Sequence, residues 1–201
     1  MTGDPAHGNT SEYGLLILVV GPSGVGKDTL LDAARERLAQ DERFCFPRRC
    51  ITRPAGAVGE IHIPVRPDDF GQMARQGAFL LSWKAHDLGY GIPRHVLDEI
   101  EAGKTVIVNV SRSVIDDAYA LVGKKNVRVI SIRASNEVLR KRLEARGRED
   151  AHDIERRLAR ASAYQVAGDQ VVHVDNDADL ETGIARFIHA IKMPQPIANR
   201  A

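Results

Sequence analysis

The densest chemical signal in the sequence is the run Gly21-Pro22-Ser23-Gly24-Val25-Gly26-Lys27-Asp28. Its spacing, G-x-x-x-x-G-K, is one that folds a backbone around an anion. Glycines let successive N–H groups turn inward, the helix that follows offers its positive end, and a lysine adds a mobile point charge. The chemistry implied is capture of the β- and γ-phosphates of ATP, with Thr29 continuing the binding stretch into the helix. Ser or Thr normally follows the lysine and ligates Mg²⁺ through its hydroxyl; here Asp28 stands in that place. A carboxylate is also a hard oxygen ligand, although it adds negative charge beside a triphosphate. Asp28 is thus a candidate metal ligand or a helix cap, and both readings stay open. The apolar segment Val106-Ile107-Val108-Asn109 ends on an amide where a second metal-binding carboxylate could stand. Asp28 is therefore expected to assume part of that metal role.

Positive charge gathers again at Arg140, Arg142, Arg146 and Arg148, and then at Arg156, Arg157 and Arg160. Such a run is commonly a solvated helix face. It could also be a nucleic-acid patch, but Glu144, Glu149, Asp150, Asp153 and Glu155 dilute the field and aromatic residues are sparse. Beside a phosphate loop, a third reading gains weight: a lid whose arginines close over ATP, with Gly147 as hinge. His62 and His86 could reach a phosphate or hydroxyl, although a lone histidine is more often incidental. Trp83 reads as a packing residue. Cys45 and Cys50 lack the partners of a zinc site and fall near a buried strand, so they read as core thiols in a reducing cytoplasm.

These residues need a frame. The 201 residues fit one medium-sized domain, and a net charge of +1 supplies no global pull toward nucleic acid or membrane. The longest apolar run near the N-terminus, Leu15 to Val20, is too short to span a bilayer, and the residues before it do not read as a leader. That run predicts a strand buried on both faces, followed by the Gly-rich turn and a helix over Asp28 to Leu38. Phe44 to Ile51 reads as a second strand. Residues 54–93 look irregular apart from a short helix near Asp68 to Arg75. Further helices are expected over 94–101, 113–122, 135–146, 153–164 and 180–191, and strands over 105–110, 127–132 and 171–174. Strands alternating with helices predict a doubly wound parallel α/β sheet of the P-loop NTPase type.

The motifs together resemble the guanylate-kinase-like branch of the P-loop kinases, from the strand at Leu15 to the last helix. They comprise GPSGVGK at 21–27, Ile51-Thr52-Arg53, Gly59-Glu60, Gly89-Tyr90-Gly91, R-x-x-x-R-G-R-E at 142–149 and R-L-x-x-A at 157–161. Within the branch the chain is most similar to the ribose 1,5-bisphosphate phosphokinase family. The marks are Lys27-Asp28 closing the loop, E-x-H at Glu60 to His62, L-S-W-x-A at 81–85, and R-G-R-E with R-L-A-R-A downstream. Guanylate kinases carry T-R-x-P-R, an acid in an F-[IL]-E segment and a hydroxyl after Y-G. Here Ala55 and Gly56 offer no second arginine, Phe79-Leu80-Leu81-Ser82 has no acid, and Ile92 follows Tyr90-Gly91.

The resemblance implies a guanylate-kinase-like core with an acceptor-binding insert and a lid. The expected layout is a tail at 1–13, one kinase domain at 14–193 and a tail at 194–201. Within the domain, the core is 14–53 and 94–193, the acceptor region about 54–93 and the lid about 146–156. It implies the reaction of ribose 1,5-bisphosphate with ATP to give 5-phosphoribosyl 1-diphosphate, in phosphonate breakdown. It implies lid roles for Arg146 and Arg157, acceptor roles for Arg53, Glu60, His62 and Tyr90, and a place near adenine for Asn176. Arg142 and Arg148 are secondary candidates. The expected partners are ATP, Mg²⁺ and a small phosphorylated sugar, without nucleic acid or membrane. The sequence is silent on oligomeric state, a homodimer included. Rival readings are a guanylate or other nucleoside monophosphate kinase and a non-catalytic module of the same fold. The enzyme reading requires an open turn at Gly21 and arginines able to reach it.

Overall fold

A computed structural model describes residues 13–54, 61–147 and 150–194. The expected tails lie almost wholly outside them, as do Glu60 and Arg148. The main sheet has five parallel strands. They are β1 (Leu15–Val20), β2 (Phe44–Cys45), β7 (Thr105–Asn109), β8 (Val127–Arg133) and β9 (Val171–Asp175), in the order β2-β7-β1-β8-β9. All six β1 residues are buried. Leu15, Ile17 and Val19 pack into one core with α1 (Lys27–Arg37), α5 (Asn136–Arg146), α6 (Ala151–Ser162) and α7 (Leu180–Lys192). Leu16, Leu18 and Val20 face the other core, with α3 (Val96–Glu101) and α4 (Ile115–Val122). Alternate side chains of one strand thus feed two cores, which is why a continuous apolar run was needed.

Two expectations are corrected. Phe44 to Ile51 is not one strand: β2 joins the main sheet, while β3 (Cys50–Ile51) joins another. Pro47 stands between them, and a residue without an N–H cannot carry a ladder across. The region read as irregular holds a second, four-stranded sheet in the order β4-β3-β6-β5, and residues 55–60 within it lie outside the described set. Its members are β3, β4 (Ile63–Pro64), β5 (Phe79–Ala85) and β6 (Leu88–Pro93), beside helix α2 (Pro67–Arg75). The β5–β6 pair is an antiparallel hairpin turned by His86 and Asp87, both with positive φ (51° and 59°). Two left-handed residues match the twist of a two-residue hairpin. The sheet docks on the main domain by Leu80, Leu81 and Ile92, all buried in the second core.

Arg128 is the unusual core residue. It is 4% exposed in β8, and its guanidinium donates to Ala190 O (3.1 Å), Ile191 O (3.2 Å) and Pro194 O (2.8 Å) at the end of α7. A fixed cation here satisfies carbonyls that the helix end leaves over. Arg128→Met is expected to cost about 3 kcal/mol, because those buried acceptors lose their donors while the volume is kept. A lowered urea midpoint with unchanged slope is the expected readout, and an unchanged midpoint would contradict this account. Burial raises both thiol pKa values, at Cys45 and Cys50, and no disulfide joins them, consistent with inert core thiols.

Candidate active site

The parallel strands end at one edge of the main sheet, and the Gly21–Gly26 turn opens there between β1 and α1. Gly26 caps α1 in the left-handed region (φ 98°), and a Cβ there would lie 2.7 Å from Asn176 Nδ2. A Cβ on Gly21 would meet Ile132 O at 2.6 Å. Both positions therefore require glycine on steric grounds. No side chain caps α1, so its first amides are left without a side-chain acceptor, an arrangement suited to an anion. Lys27 Nζ donates to Gly21 O (2.7 Å) and Pro22 O (3.0 Å), which folds the ammonium back over the loop.

The loop is braced from behind. Asn176 is 5% exposed, and its Nδ2 donates to Val25 O (2.8 Å). Arg142 donates to Val25 O (3.1 Å) and to Asn176 O (2.8 Å). Asn176, expected beside adenine, is buried under the loop, and Arg142, a secondary lid candidate, braces the same loop. Their hydrogen bonds hold the turn in shape before any ligand arrives. At the end of β7, Asn109 Nδ2 donates to Asp28 Oδ1 at 3.0 Å. Asn109 is 9% exposed, so the amide and the carboxylate form one fixed pair of oxygen-bearing groups beside the loop.

A cleft of about 650 Å³ spreads from this turn. Its lining includes six cations, Lys27, Arg49, Arg53, Arg156, Arg157 and Arg160, against two carboxylates, Asp28 and Asp153. A chain with net charge +1 thus concentrates its positive charge in one cavity. Such a cavity raises the local concentration of polyanions. On one side, α6 approaches the loop: Arg157 Nη1 donates to Ser23 Oγ at 2.9 Å. Asp150 caps α6 through the Asp153 N–H (2.8 Å), and Ile154 and Leu158 fix its inner face in the core. Gly147, read as a hinge, is left-handed (φ 60°) at the end of α5. Arg146 ends that helix, and its side chain lies outside the described set.

On the opposite side stands the second sheet. Arg53 lines the cleft, and its Nε is buried with no hydrogen-bond partner among the described residues. His62, expected on the substrate, does not line the cleft; its Nε2 lies 3.0 Å from Arg53 O and positions that segment. Tyr90 lines the cleft and stacks on Trp83 with ring centroids 5.4 Å apart and planes within 5°. Trp83 is a packing residue, as read, but one that also borders the cleft. His86 reaches the same wall from the hairpin tip.

Two cleft residues escaped sequence reasoning. Arg49 donates from Nη1 to Asn109 O (3.0 Å) and lies over the Tyr90 ring (5.2 Å) and the Trp83 ring (5.8 Å). Its signal was only the dipeptide Arg48-Arg49 ahead of Ile51-Thr52-Arg53. Tyr164 follows α6 and carries Arg112 over its ring at 4.5 Å. Burial pushes its phenol pKa up, against the pull of the Gly21 amide and Arg112, so it stays a neutral hydrogen-bonding group. Among the described residues no cluster of three or more His, Cys, Asp or Glu could hold a metal alone, and no helix is long and apolar enough to cross a membrane.

A family model described as an AAA domain matches residues 17–162. The ribose 1,5-bisphosphate phosphokinase PhnN of Brucella melitensis biotype 2 (strain ATCC 23457) is 44% identical over 176 residues, 88% of this chain and 91% of that protein. The bifunctional ribose 1,5-bisphosphokinase-thymidine phosphorylase of Cupriavidus pinatubonensis (strain JMP 134) is 42% identical over 198 residues. That match covers 94% of this chain but only 32% of the bifunctional relative, so the chain spans about a third of its length. Among solved structures, guanylate kinase from Anaplasma phagocytophilum superposes with a TM-score of 0.62 at 18% identity, covering 90% of this chain and 85% of that one.

Proposed function

Since the chain belongs to the ribose 1,5-bisphosphate phosphokinase family, we propose that it moves the γ-phosphoryl group of ATP onto the 1-phosphate of ribose 1,5-bisphosphate. The observation that carries this is the cleft itself: a phosphate loop at one end, arginines on both walls, and a cationic excess throughout. An oxygen of the 1-phosphate attacks the γ-phosphorus, the bond to the β-bridging oxygen breaks, and ADP leaves with that electron pair. The products are 5-phosphoribosyl 1-diphosphate and ADP. The nucleophile is already anionic near neutral pH, so the residues chiefly align two polyanions and neutralise their charge.

For the described residues the roles rest on position, and for Glu60 and Arg146 on the family resemblance. Gly21 to Gly26 and the start of α1 hold the ATP phosphates. Lys27 serves the β- and γ-phosphates, and Arg157, with Arg146 from the end of α5, serves the transferring group. Arg53 and Tyr90 hold the acceptor, with Glu60 as a further acceptor contact. Mg²⁺ suits the donors present, because this ion keeps waters and substrate phosphates and needs only one or two protein oxygens. Asp28, fixed by Asn109, would hold it. When bound it supplies charge neutralisation between the β- and γ-phosphates. The chain is read as a cytoplasmic enzyme whose product feeds nucleotide synthesis, in phosphonate breakdown, with no nucleic-acid or membrane partner.

The nearest alternative, a guanylate kinase, lacks support on the acceptor wall. Leu81 and Ile92 stand where the base-reading acid and hydroxyl belong, and both are buried in the core at 3% and 1% exposure. Each guanine donor left unpaired there costs about 1–3 kcal/mol. A product assay with ribose 1,5-bisphosphate and GMP on one enzyme preparation tests this. The bisphosphate is expected to win in kcat/KM by about 10³-fold, two unpaired groups' worth. Equal or faster turnover of GMP would overturn the assignment, and ATP binding without turnover of any acceptor would favour a non-catalytic module.

A further inference from the structure

The acceptor wall carries two guanidiniums, and we infer that they serve different phosphates of a single acceptor, Arg49 one end of the molecule and Arg53 the other. This rests on the function proposed above, in which the acceptor bears a phosphate at each end. Arg49 and Arg53 flank the two-residue strand β3. At about 3.3 Å per extended residue, four residues separate their Cα atoms by about 13 Å at most. One strand therefore presents a cation at each of its ends. Both side chains line the same cleft.

The two are held by different means, which suits two subsites. Arg49 is fixed by the Asn109 carbonyl and by the stacked faces of Tyr90 and Trp83. A guanidinium already oriented in this way loses little freedom when a phosphate arrives, and its planar fork offers paired donors. Arg53 is held by its backbone, through His62 on its carbonyl oxygen, while its buried Nε has no partner among the described residues. A buried donor in that state is a cost unless a ligand oxygen meets it. A nucleoside monophosphate, with one phosphate and a flat base, would use only one of the two cations as an anion site. A sugar bisphosphate uses both, and the division explains how the wall selects an acceptor it has no base-reading groups to recognise.

Ligand-observed NMR titrations with ribose 1-phosphate and ribose 5-phosphate separately, on the full chain and on Arg49→Ala and Arg53→Ala, test this without requiring turnover. One variant is expected to lose about 30-fold in affinity for one monophosphate and under about 3-fold for the other, and the second variant to show the reverse. Arg49→Lys should recover only part of the affinity lost in Arg49→Ala, because the charge returns but the stacked, forked geometry does not. Loss of the same monophosphate in both variants, or equal loss of both monophosphates in either, would overturn the inference. An equal loss with a lowered melting temperature would mark the residue as structural and overturn it too. Failure of the unaltered chain to make 5-phosphoribosyl 1-diphosphate would sink the proposed reaction instead, whatever the titrations give.

Discussion

Lys27→Ala is expected to lower the rate of phosphoryl transfer by about 10³-fold or more while leaving the fold intact. In the structure the ammonium rests on Gly21 O and Pro22 O, part-buried at the mouth of the cleft. Those carbonyls can turn to water once the side chain is gone, so the fold loses little. The loss is expected on the step in which charge moves from the γ-phosphate toward the β,γ-bridging oxygen, since Lys27 is the one cation within the 21–28 loop sequence. The effect should appear in kcat more than in the KM for the acceptor, whose proposed contacts lie on the opposite wall. Single-turnover measurements with radiolabelled ATP separate the two, and a full rate with a merely raised KM for ATP would refute the role.

Arg157→Ala is expected to cost about 10²- to 10³-fold in kcat, with an unchanged melting temperature. Its helix is fixed by Ile154 and Leu158 in the core, on the face away from the cleft, so the guanidinium can be removed without unseating the helix. The Ser23 contact at 2.9 Å shows that it already reaches the loop. Ser23→Ala serves as the contrast: it removes that contact but not the charge, and kcat should fall by less than about 3-fold. If both substitutions slowed turnover equally, the arginine would be acting by holding the loop and not by meeting the phosphoryl group.

The half of the molecule that handles ATP was legible because its physics is local. A strand buried on both faces must be an apolar run, and Leu15–Val20 is one. A loop that wraps phosphate must place glycines at fixed offsets, and Gly21, Gly24 and Gly26 do so. The second sheet was not legible, although Arg53 beside it and Tyr90 within it were singled out. Strands β3 and β4 are two residues each, too short for a period to register. The hairpin turns on His86-Asp87, with none of the usual glycine or asparagine, and β6 contains two glycines. Arg49 belongs to the wall only because Cys50 and Ile51 pair with Gly91 and Tyr90, a long-range fact that no local pattern encodes. Asn176 was singled out by resemblance, but its hydrogen-bond partner was not legible. Its buried amide grips Val25 O, 151 residues away in the chain.

Among the described residues no backbone ladder runs from the four-stranded sheet to the five-stranded one. The seam between them is mostly apolar: Leu80, Leu81 and Ile92 share one buried cluster with Val110, Val114 and Ala118. Contacts of that kind tolerate exchange of shape for shape, whereas a ladder would demand register. Substitutions confined to the smaller sheet can therefore reassign which small anion is received, with the triphosphate machinery untouched. Swapping that sheet between related folds is the corresponding engineering route to a new acceptor.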